Sequence, residues 1–538
     1  MNHEEMSPIP FEQMLFGLVH EYKEKGSFYD VPVYKNESLA PIGLAAGPHT
    51  QLAGNIVAGY AAGAKYFELK TVQVLEKEAL GIIKPCIDVG HEVYNTEWST
   101  ELPISEALNE YIKAYLLIAV LGKTFHLTPI SEIHFIASVG YDLKGIQSPT
   151  VDAFLEGLKE MQSTLEWQKD MAFIKEHANS VLSLSDQDIE ELEAIHSLTD
   201  TVTLSTMHGC KRSEIKEIAL YLLKEKGMNT FIKLNPTLIG KEKVENRLKE
   251  QGYEAIELVE SIFEVDMTLE MAVQLVHELK EASAKIGRTF GVKLTNTLPV
   301  KNKGERLVGD AKYLSGKPLY PIAIEAAYQL AKELEQRGYE KVAMSYSGGI
   351  DLSNIEAVLE TGIAPVTVCS FILQSGGYKN ITKLVKKSIS YTEQEISIQK
   401  LGQLAEDAKN NKSHQSGKTL QFERKENYSS LCGKCNQCVD ICPNRANVPI
   451  EWNNEKKVIH LDQLCNACGA CQWQCVMGHK PYEEKFTIYH DETSYKESQI
   501  SKAWYDGKDL HIDFKKRDEV DLAGFKSVLM EAIERGRI

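Results

Sequence analysis

The sequence predicts an α/β fold in which a large strand–helix repeat precedes a small cysteine-rich domain. Two features of the 538 residues carry this prediction. Between about residues 40 and 390, short apolar and β-branched runs alternate with amphipathic helical patterns, which is typical of parallel α/β folds. Further along, two consecutive CxxCxxCxxxC motifs occupy residues 432–475.

The first feature predicts a TIM barrel. Helical patterns with apolar residues at spacings of three and four separate the strand runs, for example from Arg212, Pro321 and Asn354. Eight strand–helix units in about 350 residues fit such a barrel. A doubly wound sheet is the alternative, but no GxGxxG fingerprint follows any run. The predicted strands are PIGLAA at 41, KYFELK at 65, IHFIAS at 133, TVTLS at 201, TFIKLN at 230, FGVKLT at 290, KVAMSY at 341 and PVTVC at 365.

The second feature predicts a bacterial ferredoxin-like domain with two [4Fe–4S] clusters. In this spacing, three cysteines of each motif bind one cluster and the fourth binds the other. Zinc sites or a disulfide framework are the alternatives, and neither explains eight cysteines at the doubled spacing. Electron transfer is therefore expected. The predicted ligands are Cys432, Cys435, Cys438 and Cys475 for cluster one, and Cys442, Cys465, Cys468 and Cys471 for cluster two.

Composition excludes several classes of partner. A net charge of -16 and a pI near 5.5 argue against binding to nucleic acid or an anionic membrane surface. The longest apolar run, at residues 114–122, is too short to span a bilayer, and the first residues lack the pattern of a signal peptide. Three cysteines outside the motifs, Cys86, Cys210 and Cys369, suit a reducing compartment. We therefore expect a cytoplasmic protein.

The chain is expected to divide into five parts. About sixty residues separate the second predicted strand from the third, and the third from the fourth, which predicts an active-site rim. A hairpin in YDGKDLHIDF and a helix from about Leu522 are predicted near the end. The predicted parts are an N-terminal helical extension (1–39), the barrel (40–390), a polar linker (391–427), the two-cluster domain (428–485) and a C-terminal extension (486–538).

Glycines near the ends of the last two predicted strands indicate a phosphate site. The seventh run leads into SYSGGID, where Gly348 and Gly349 allow backbone N–H groups to approach an anion ahead of a helix. The eighth run ends in Cys369 and Ser370. TIM barrels often bind phosphate after strands seven and eight. A tight turn that only requires glycine is the alternative.

Several of these motifs resemble a known flavoprotein family. GLAAGPHTQ, ELKT, FIKLNP, LTNT, YLSGKPLYPIA, SGGID and VTVCS follow the order seen in the FMN barrel of dihydroorotate and dihydropyrimidine dehydrogenases, over about residues 40–380. In dihydropyrimidine dehydrogenase a two-cluster domain likewise follows the barrel. PIPFEQML, AAGPHTQLAGNIV and KPCIDVGHEVYNTEWSTE are similar to bacterial proteins labelled selenate reductase subunits, a group associated with anaerobic purine catabolism. The resemblance implies an FMN- and iron–sulfur-dependent oxidoreductase acting on CH–CH bonds.

The resemblance also implies FMN-binding residues. A cation near flavin N1 and O2, here Lys233, stabilises the anionic reduced ring. Lys70 and Lys233 have a second interpretation as members of salt bridges at the barrel mouth. The implied FMN residues are Ala46 and Gly47 at the ring, Lys70 and Thr71 at its edge, Lys233 near N1, and Gly348, Gly349, Cys369 and Ser370 at the phosphate.

Substrate contacts are implied at Asn95, Asn296 and Thr297, because amide side chains read the N–H and C=O edge of a ring in the pyrimidine enzymes. The loop after the fourth predicted strand departs from the family. TLSTMHG replaces NxSCPHG, so Thr203 stands where an asparagine is expected and Thr206 where the acid–base cysteine is expected.

Another group should then supply the proton, because a threonine hydroxyl is a poor acid near neutral pH. His208 is the first candidate, since its pKa lies in the useful range, and Cys210 is the second. A histidine that only caps a helix and a small buried cysteine are the alternatives. Neighbouring strand-end loops offer His49, Glu97 and Asp142.

Thr203 favours a ring larger than a pyrimidine, and a purine such as urate is the leading prediction. Electrons would pass from the clusters to FMN and leave as a hydride to a ring carbon, while an acid protonates the adjacent atom. Dihydropyrimidine or dihydroorotate chemistry and an electron-relay subunit are the alternatives. Because no FAD or NADPH fold is seen in this sequence, an NAD(P)H:FAD oxidoreductase subunit or a ferredoxin is expected as electron donor. An open cluster domain also favours association into a homo-oligomer.

Overall fold

The computed structural model describes residues 6–35, 37–76, 80–97, 99–205, 210–304, 306–417, 421–515, 521–536 and 538. The strands are β1 Ser27–Phe28, β2 Val31–Pro32, β3 Ile42–Leu44, β4 Tyr66–Glu68, β5 Ile87–Val89, β6 Val93–Asn95, β7 His134–Val139, β8 Thr201–Ser205, β9 Asn229–Leu234, β10 Phe290–Leu294, β11 Leu298–Lys301, β12 Ala311–Ser315, β13 Ala343–Tyr346, β14 Val366–Val368, β15 Asn447–Trp452, β16 Glu455–Leu461, β17 Thr487–Tyr489, β18 Lys502–Tyr505 and β19 Leu510–Asp513.

The α-helices follow the same chain order. They are α1 Phe11–Lys25, α2 Ala53–Ala61, α3 Ile104–Phe125, α4 Leu143–Ile146, α5 Pro149–Lys159, α6 Leu165–His177, α7 Asp186–Glu193, α8 Arg212–Lys224, α9 Lys241–Glu250, α10 Ile262–Val265, α11 Leu269–Ile286, α12 Tyr320–Gln336, α13 Ile355–Leu359, α14 Lys379–Lys387, α15 Ile398–Asn410, α16 Gln437–Asp440, α17 Ala470–Trp473, α18 Pro481–Glu484, α19 Glu492–Glu497 and α20 Leu522–Glu534.

Parallel strands close into a barrel in the order β3, β4, β7, β8, β9, β10, β13 and β14. Each coincides with one of the strands predicted from the sequence, so the predicted TIM barrel is confirmed. Two lysines lie side by side within the barrel, because Lys233 of β9 pairs in register with Lys293 of β10. This arrangement brings the carboxyl ends of all these strands to one end of the barrel, where such folds place their chemistry.

The helices predicted from Arg212, Pro321 and Asn354 are α8, α12 and α13. In α8 the residues that face the core, Ile215, Ile218 and Leu222, have the expected spacing of three and four. The long helix α3 packs against α2, α5 and α6. Within the described part of the chain, no helix has both the length and the apolar character needed to cross a bilayer.

A four-stranded sheet in the order β11, β12, β6 and β5 caps the barrel mouth, and we call it the roof sheet. Two of its strands come from the insertion after β4 and two from the insertion after β10. Antiparallel pairing joins the two insertions, with Tyr313 opposite Asn95. The predicted rim is therefore partly a sheet, and the second long insertion, after β7, forms helices α4 to α7 instead.

The cysteine-rich region and the chain end share one sheet. Its order is β15, β16, β17, β18 and β19, and the first two strands form the hairpin between the cysteine motifs. The predicted late hairpin is β18–β19, and the predicted last helix is α20. Phe525 of α20 packs edge-on against Trp452 and Phe486. The C-terminal residues therefore extend the sheet of the cysteine-rich region.

The cysteine-rich region rests on the roof sheet through Trp473 and Gln474. The Trp473 Nε1–H group donates to the Ile87 carbonyl at 2.9 Å, and the Gln474 amide donates to the Val89 carbonyl at 3.1 Å. The Arg306 guanidinium lies 4.1 Å above the Trp473 ring. Helix α15, from the predicted linker, packs against α12 of the barrel.

Candidate active site

A cavity of about 1040 Å³ lies at the carboxyl ends of the barrel strands, beneath the roof sheet. The roof sheet contributes Ile87, Val93 and Ser315 to its wall. Every residue implied to bind FMN lines this cavity: Ala46, Gly47, Lys70, Thr71, Lys233, Gly348, Gly349, Cys369 and Ser370.

Three of the predicted substrate residues, Asn95, Asn296 and Thr297, also line the cavity. The Asn296 amide donates to Asn235 Oδ1 at 2.7 Å, and Ser205 Oγ donates to Asn296 Oδ1 at 3.4 Å. These contacts fix which end of the Asn296 amide is the donor. Neither Asn235 nor Ser205 was predicted from the sequence, although each is the last residue of a predicted strand.

Thr203 is buried within β8 and is not among the described residues that line the cavity. Ser205 lies two residues further along on the same face of β8, at the carboxyl end of the strand, and it does line the cavity. A direct contact between Thr203 and a substrate therefore has no support in the described geometry, and its role stays a prediction.

Among the predicted catalytic residues, Thr206 and His208 lie outside the described residues. Cys210 is described, and its Sγ lies 3.8 Å from Glu214 Oε2. Burial and the Glu214 carboxylate raise the pKa of Cys210 to about 12, so the thiol is protonated at neutral pH. Cys210 is absent from the described lining of the cavity. Its catalytic role also stays a prediction.

Of the three further proton-donor candidates, Glu97 is the one that lines the cavity. Burial lowers the pKa of His49 to about 3, which leaves its imidazole neutral. Asp142 caps α4 by accepting the Gly145 N–H at 2.7 Å. Glu97 instead forms a buried ion pair with Lys70, with 2.7 Å between Nζ and Oε2.

A second buried ion pair lies within the barrel. Lys293 pairs with Glu68 and donates to Thr367 Oγ1 at 2.9 Å. Glu68 also accepts the Ala46 N–H at 3.4 Å, which connects the pair to the loop at the cavity wall. The sequence reasoning missed this group. Its signal was a charged residue inside each of two otherwise apolar runs, YFEL and FGVKL.

The residues at the cavity fit FMN. Close packing allows no side chain at the Gly47 and Gly349 positions: a Cβ atom on Gly47 would lie 2.8 Å from Cys369 Sγ, and one on Gly349 would lie 2.5 Å from the Gly316 carbonyl oxygen. The Ser370 and Ser315 hydroxyls lie 2.9 Å apart beside these glycines. Glycine backbone and hydroxyl groups can hold a phosphate, and the lysines can hold an anionic ring.

The eight motif cysteines gather into the two predicted sets of four. Cys432, Cys435 and Cys475 act electrostatically on the Cys438 thiol, whose pKa burial raises to about 11. The other four line a separate cavity of about 320 Å³. Thiols that cluster in two closed sets fit iron–sulfur ligation. The residues of this second set are Cys442, Cys465, Cys468 and Cys471.

The second set adjoins the large cavity. The Cys468 carbonyl accepts the N–H groups of Cys86 and Ile87, at 3.1 and 2.8 Å, and Ile87 lines the cavity. Cys86, Ile87, Val93 and Cys468 belong to one buried apolar cluster. One layer of packed residues therefore separates the second cysteine set from the cavity.

The parallel barrel, the charged cavity at its mouth and the adjoining thiol sets define a TIM-barrel domain with a cysteine-rich region packed beside it. The family model described as "Oxidoreductase YgfK, N-terminal TIM-barrel domain" matches residues 16–416, and the chain belongs to this family. The YgfK oxidoreductases of Escherichia coli strains K12 and O157:H7 are each 35% identical over 433 residues, which is 75% of this chain and 41% of theirs. The chain thus spans about two fifths of the length of these curated relatives.

Among solved structures, dihydroorotate dehydrogenase (DHODH) of Eimeria tenella, crystallised with ferulenol, is similar over 71% of this chain and 92% of its own. The sequence identity is 14% and the TM-score is 0.33.

Lys233 should make FMN binding depend on pH. Burial and the nearby Lys293 charge lower the pKa of Lys233 to about 8. Its ammonium group is charged below that pH and attracts an anionic cofactor, whereas above it the charge is lost. FMN affinity of the apoprotein should therefore fall as the pH rises above about 8, by at most about tenfold per pH unit for one linked proton.

Fluorescence titration of the apoprotein with FMN at several pH values measures this slope. Lys233→Met should bind more weakly at neutral pH and lose the decline above pH 8. If the variant keeps the same slope as the unaltered protein, another group is responsible.

Proposed function

We propose that this chain is an FMN- and iron–sulfur-dependent reductase of a heterocyclic substrate, with a purine such as urate as the leading candidate and a dihydro compound as product. The observation that carries the proposal is the cavity that contains all the implied FMN residues and adjoins the segment of Cys468. Protected thiol sets of this kind suit a reducing, oxygen-poor cytoplasm.

FMN, when bound, would accept electrons singly and release them as a pair. Gly348, Gly349 and Ser370 would hold its phosphate, at the crowded end of the cavity. Lys70 and Lys233 would lie at the ring. The buried Glu97 carboxylate keeps Lys70 in position, which supports the ring-edge role.

The burial of the cysteines supports a direction for electron flow. Cys435 of the first set is exposed, whereas all four thiols of the second set are buried beside the cavity. The first set therefore faces the electron donor and the second faces the flavin site. An NAD(P)H:FAD oxidoreductase subunit, a ferredoxin or another part of a longer protein could serve as donor, and the exposed Lys434 beside Cys435 suits an acidic one.

The amide groups support a cyclic lactam or ureide as substrate. Asn296 offers a donor and an acceptor in an orientation that Asn235 and Ser205 determine. Asn95 projects from the roof sheet, where its amide donates to the Glu97 carbonyl. Such groups match the alternating N–H and C=O edge of a purine or pyrimidine ring.

The test is anaerobic. The purified protein is analysed for flavin and iron, reduced with dithionite, and mixed in turn with urate, xanthine, uracil and orotate while the absorbance of oxidised flavin is followed. Reoxidation by urate alone supports a purine reductase. Reoxidation by uracil or orotate instead favours pyrimidine chemistry, and absence of flavin favours an electron-relay subunit.

A further inference from the structure

We propose that Glu97 and Glu101 form a proton relay that connects solvent to the active-site cavity. The inference deepens the proposed function and rests on it. Reduction of a ring double bond consumes two electrons and two protons, and iron–sulfur clusters carry electrons without protons. The protein must therefore bring protons to the cavity by a separate route.

The two glutamates lie in the segment that follows β6, and Glu97 is buried more deeply than Glu101. Glu97 lines the cavity and its side chain is 2% exposed. Glu101 is 10% exposed, and its partner Lys84 is 18% exposed. A carboxylate oxygen from each glutamate and Cys86 Sγ all lie within 4.8 Å of one another. The acidic groups therefore form a continuous path from partly exposed to buried.

The charges around the two glutamates differ, and the difference favours proton transfer from Glu101 to Glu97, toward the cavity. Burial favours the protonated form of both, and it raises the pKa of Glu97 despite the Lys70 charge. At Glu101 the charges of Lys84 and Lys70 outweigh burial and lower the pKa. When the pair holds one proton, that proton resides on Glu97, the member that faces the cavity.

Glu97, Glu101 and Cys86 could also be considered as metal ligands, but two lysine ammonium groups already pair with them. Lys70 Nζ lies 2.7 Å from Glu97, and Lys84 Nζ lies 2.7 Å from Glu101 and 3.5 Å from Cys86 Sγ. These ammonium groups supply the positive charge that a metal ion would otherwise provide. Proton transfer between the carboxyls requires no additional ion.

The relay also contacts the electron route. The Asn466 amide donates to Glu101 Oε1 at 2.7 Å, and Asn466 directly follows Cys465 of the second set. Asn444, two residues after Cys442, in turn donates to Asn466 Oδ1 at 3.2 Å. Glu101 thus lies where the barrel meets the cysteine-rich region.

In each cycle Glu97 would give its proton to the reacting group in the cavity and become a carboxylate. Glu101 then passes a proton to Glu97 and takes another from solvent. The electrons come from a one-electron reductant that carries no proton, such as a reduced ferredoxin in the cell or reduced methyl viologen in an assay. Two turns of the relay balance the two electrons.

The test needs no substrate. Flavin-loaded protein in weak buffer is reduced anaerobically in a stopped-flow instrument with reduced methyl viologen, whose oxidation releases no proton. A pH indicator reports proton uptake while absorbance reports flavin reduction. Glu101→Gln should retain flavin and iron but take up protons about 100-fold more slowly, the usual scale for loss of a positioned acid or base. In Glu101→Ala, added formate should restore the rate, because a small acid can occupy the vacated position.

Glu110→Gln is the matched control, because Glu110 is also buried and paired with a lysine, Lys113, but lies on α3 outside the described cavity lining. It should take up protons at the normal rate. An unchanged uptake rate in Glu101→Gln, or no rescue of Glu101→Ala by formate, overturns the relay. A stoichiometric metal other than iron that disappears in Glu101→Gln overturns it in favour of a metal site. Protein without flavin overturns the proposed function and the relay together, whereas the preceding outcomes leave the proposed function intact.

Discussion

Replacing Cys468 by serine should remove one of the two proposed iron–sulfur clusters and isolate the proposed flavin site from its electron donor. Cys468 is buried and lines the 320 Å³ cavity together with Cys442, Cys465 and Cys471. A serine hydroxyl is a poor ligand for a cluster that thiolates bind. Iron content should therefore fall from about eight to about four atoms per chain, the content of a single [4Fe–4S] cluster.

The same variant should reduce its flavin slowly with reduced ferredoxin, because the lost cluster is the one beside the cavity. Serine keeps the backbone carbonyl that accepts the Cys86 and Ile87 N–H groups, so the junction with the roof sheet is preserved. Iron analysis and electron paramagnetic resonance of the dithionite-reduced protein measure the first effect. Cys210→Ser is the control and should keep its full iron content, and full iron in Cys468→Ser would contradict the ligand assignment.

Replacing Gly349 by alanine should empty the flavin site. Gly349 has φ = +69°, and an added Cβ would lie 2.5 Å from the Gly316 carbonyl oxygen and 2.8 Å from the Tyr320 Cβ. The left-handed backbone alone costs about 1–2 kcal/mol for a residue with a side chain. The collision adds to this cost and displaces the loop that would hold the phosphate. We expect FMN affinity to fall by at least about tenfold, which corresponds to 1.4 kcal/mol.

The variant Gly338→Ala separates the cost of the left-handed backbone from the effect of the Cβ collision. Gly338 has nearly the same backbone angle, φ = +68°, but nothing lies within 4 Å of the position of its Cβ. The variant should lose stability because alanine disfavours the left-handed backbone, and it should still bind FMN normally. Flavin content after purification and FMN titration of the apoprotein measure the difference. Equal FMN affinity in the two variants would show that crowding at Gly349 does not shape the site.

The barrel could be predicted because its determinants are local. Each strand run, such as TVTLS at 201 or FGVKLT at 290, carries its own apolar, β-branched pattern and is bounded by helical periodicity. The alternation of these patterns leaves few topologies other than a parallel barrel. The two cysteine motifs could likewise be recognised from the sequence, because cluster ligation requires fixed spacing along the chain.

The implied FMN residues came from the family resemblance, and the strand order explains why they lie together. In a closed parallel barrel the carboxyl ends of all strands converge, so residues as distant in sequence as Ala46 and Ser370 meet at one mouth. The loop at residues 206–209 is the part for which sequence gives candidates and the described structure gives no position.

Other features depended on tertiary contacts that no local pattern encodes. The roof sheet pairs β6 with β12, which are more than two hundred residues apart, and its strands lie in insertions outside the strand–helix repeat. The Glu68–Lys293–Thr367 group joins three barrel strands, and Glu101 meets Asn466 only where two regions pack together. By itself, the sequence determined the strands, the thiol sets and the glycines of the site, because each depends on neighbours in the chain. Only the tertiary structure decided which buried charges face one another, because pairing of charges depends on distances that folding creates.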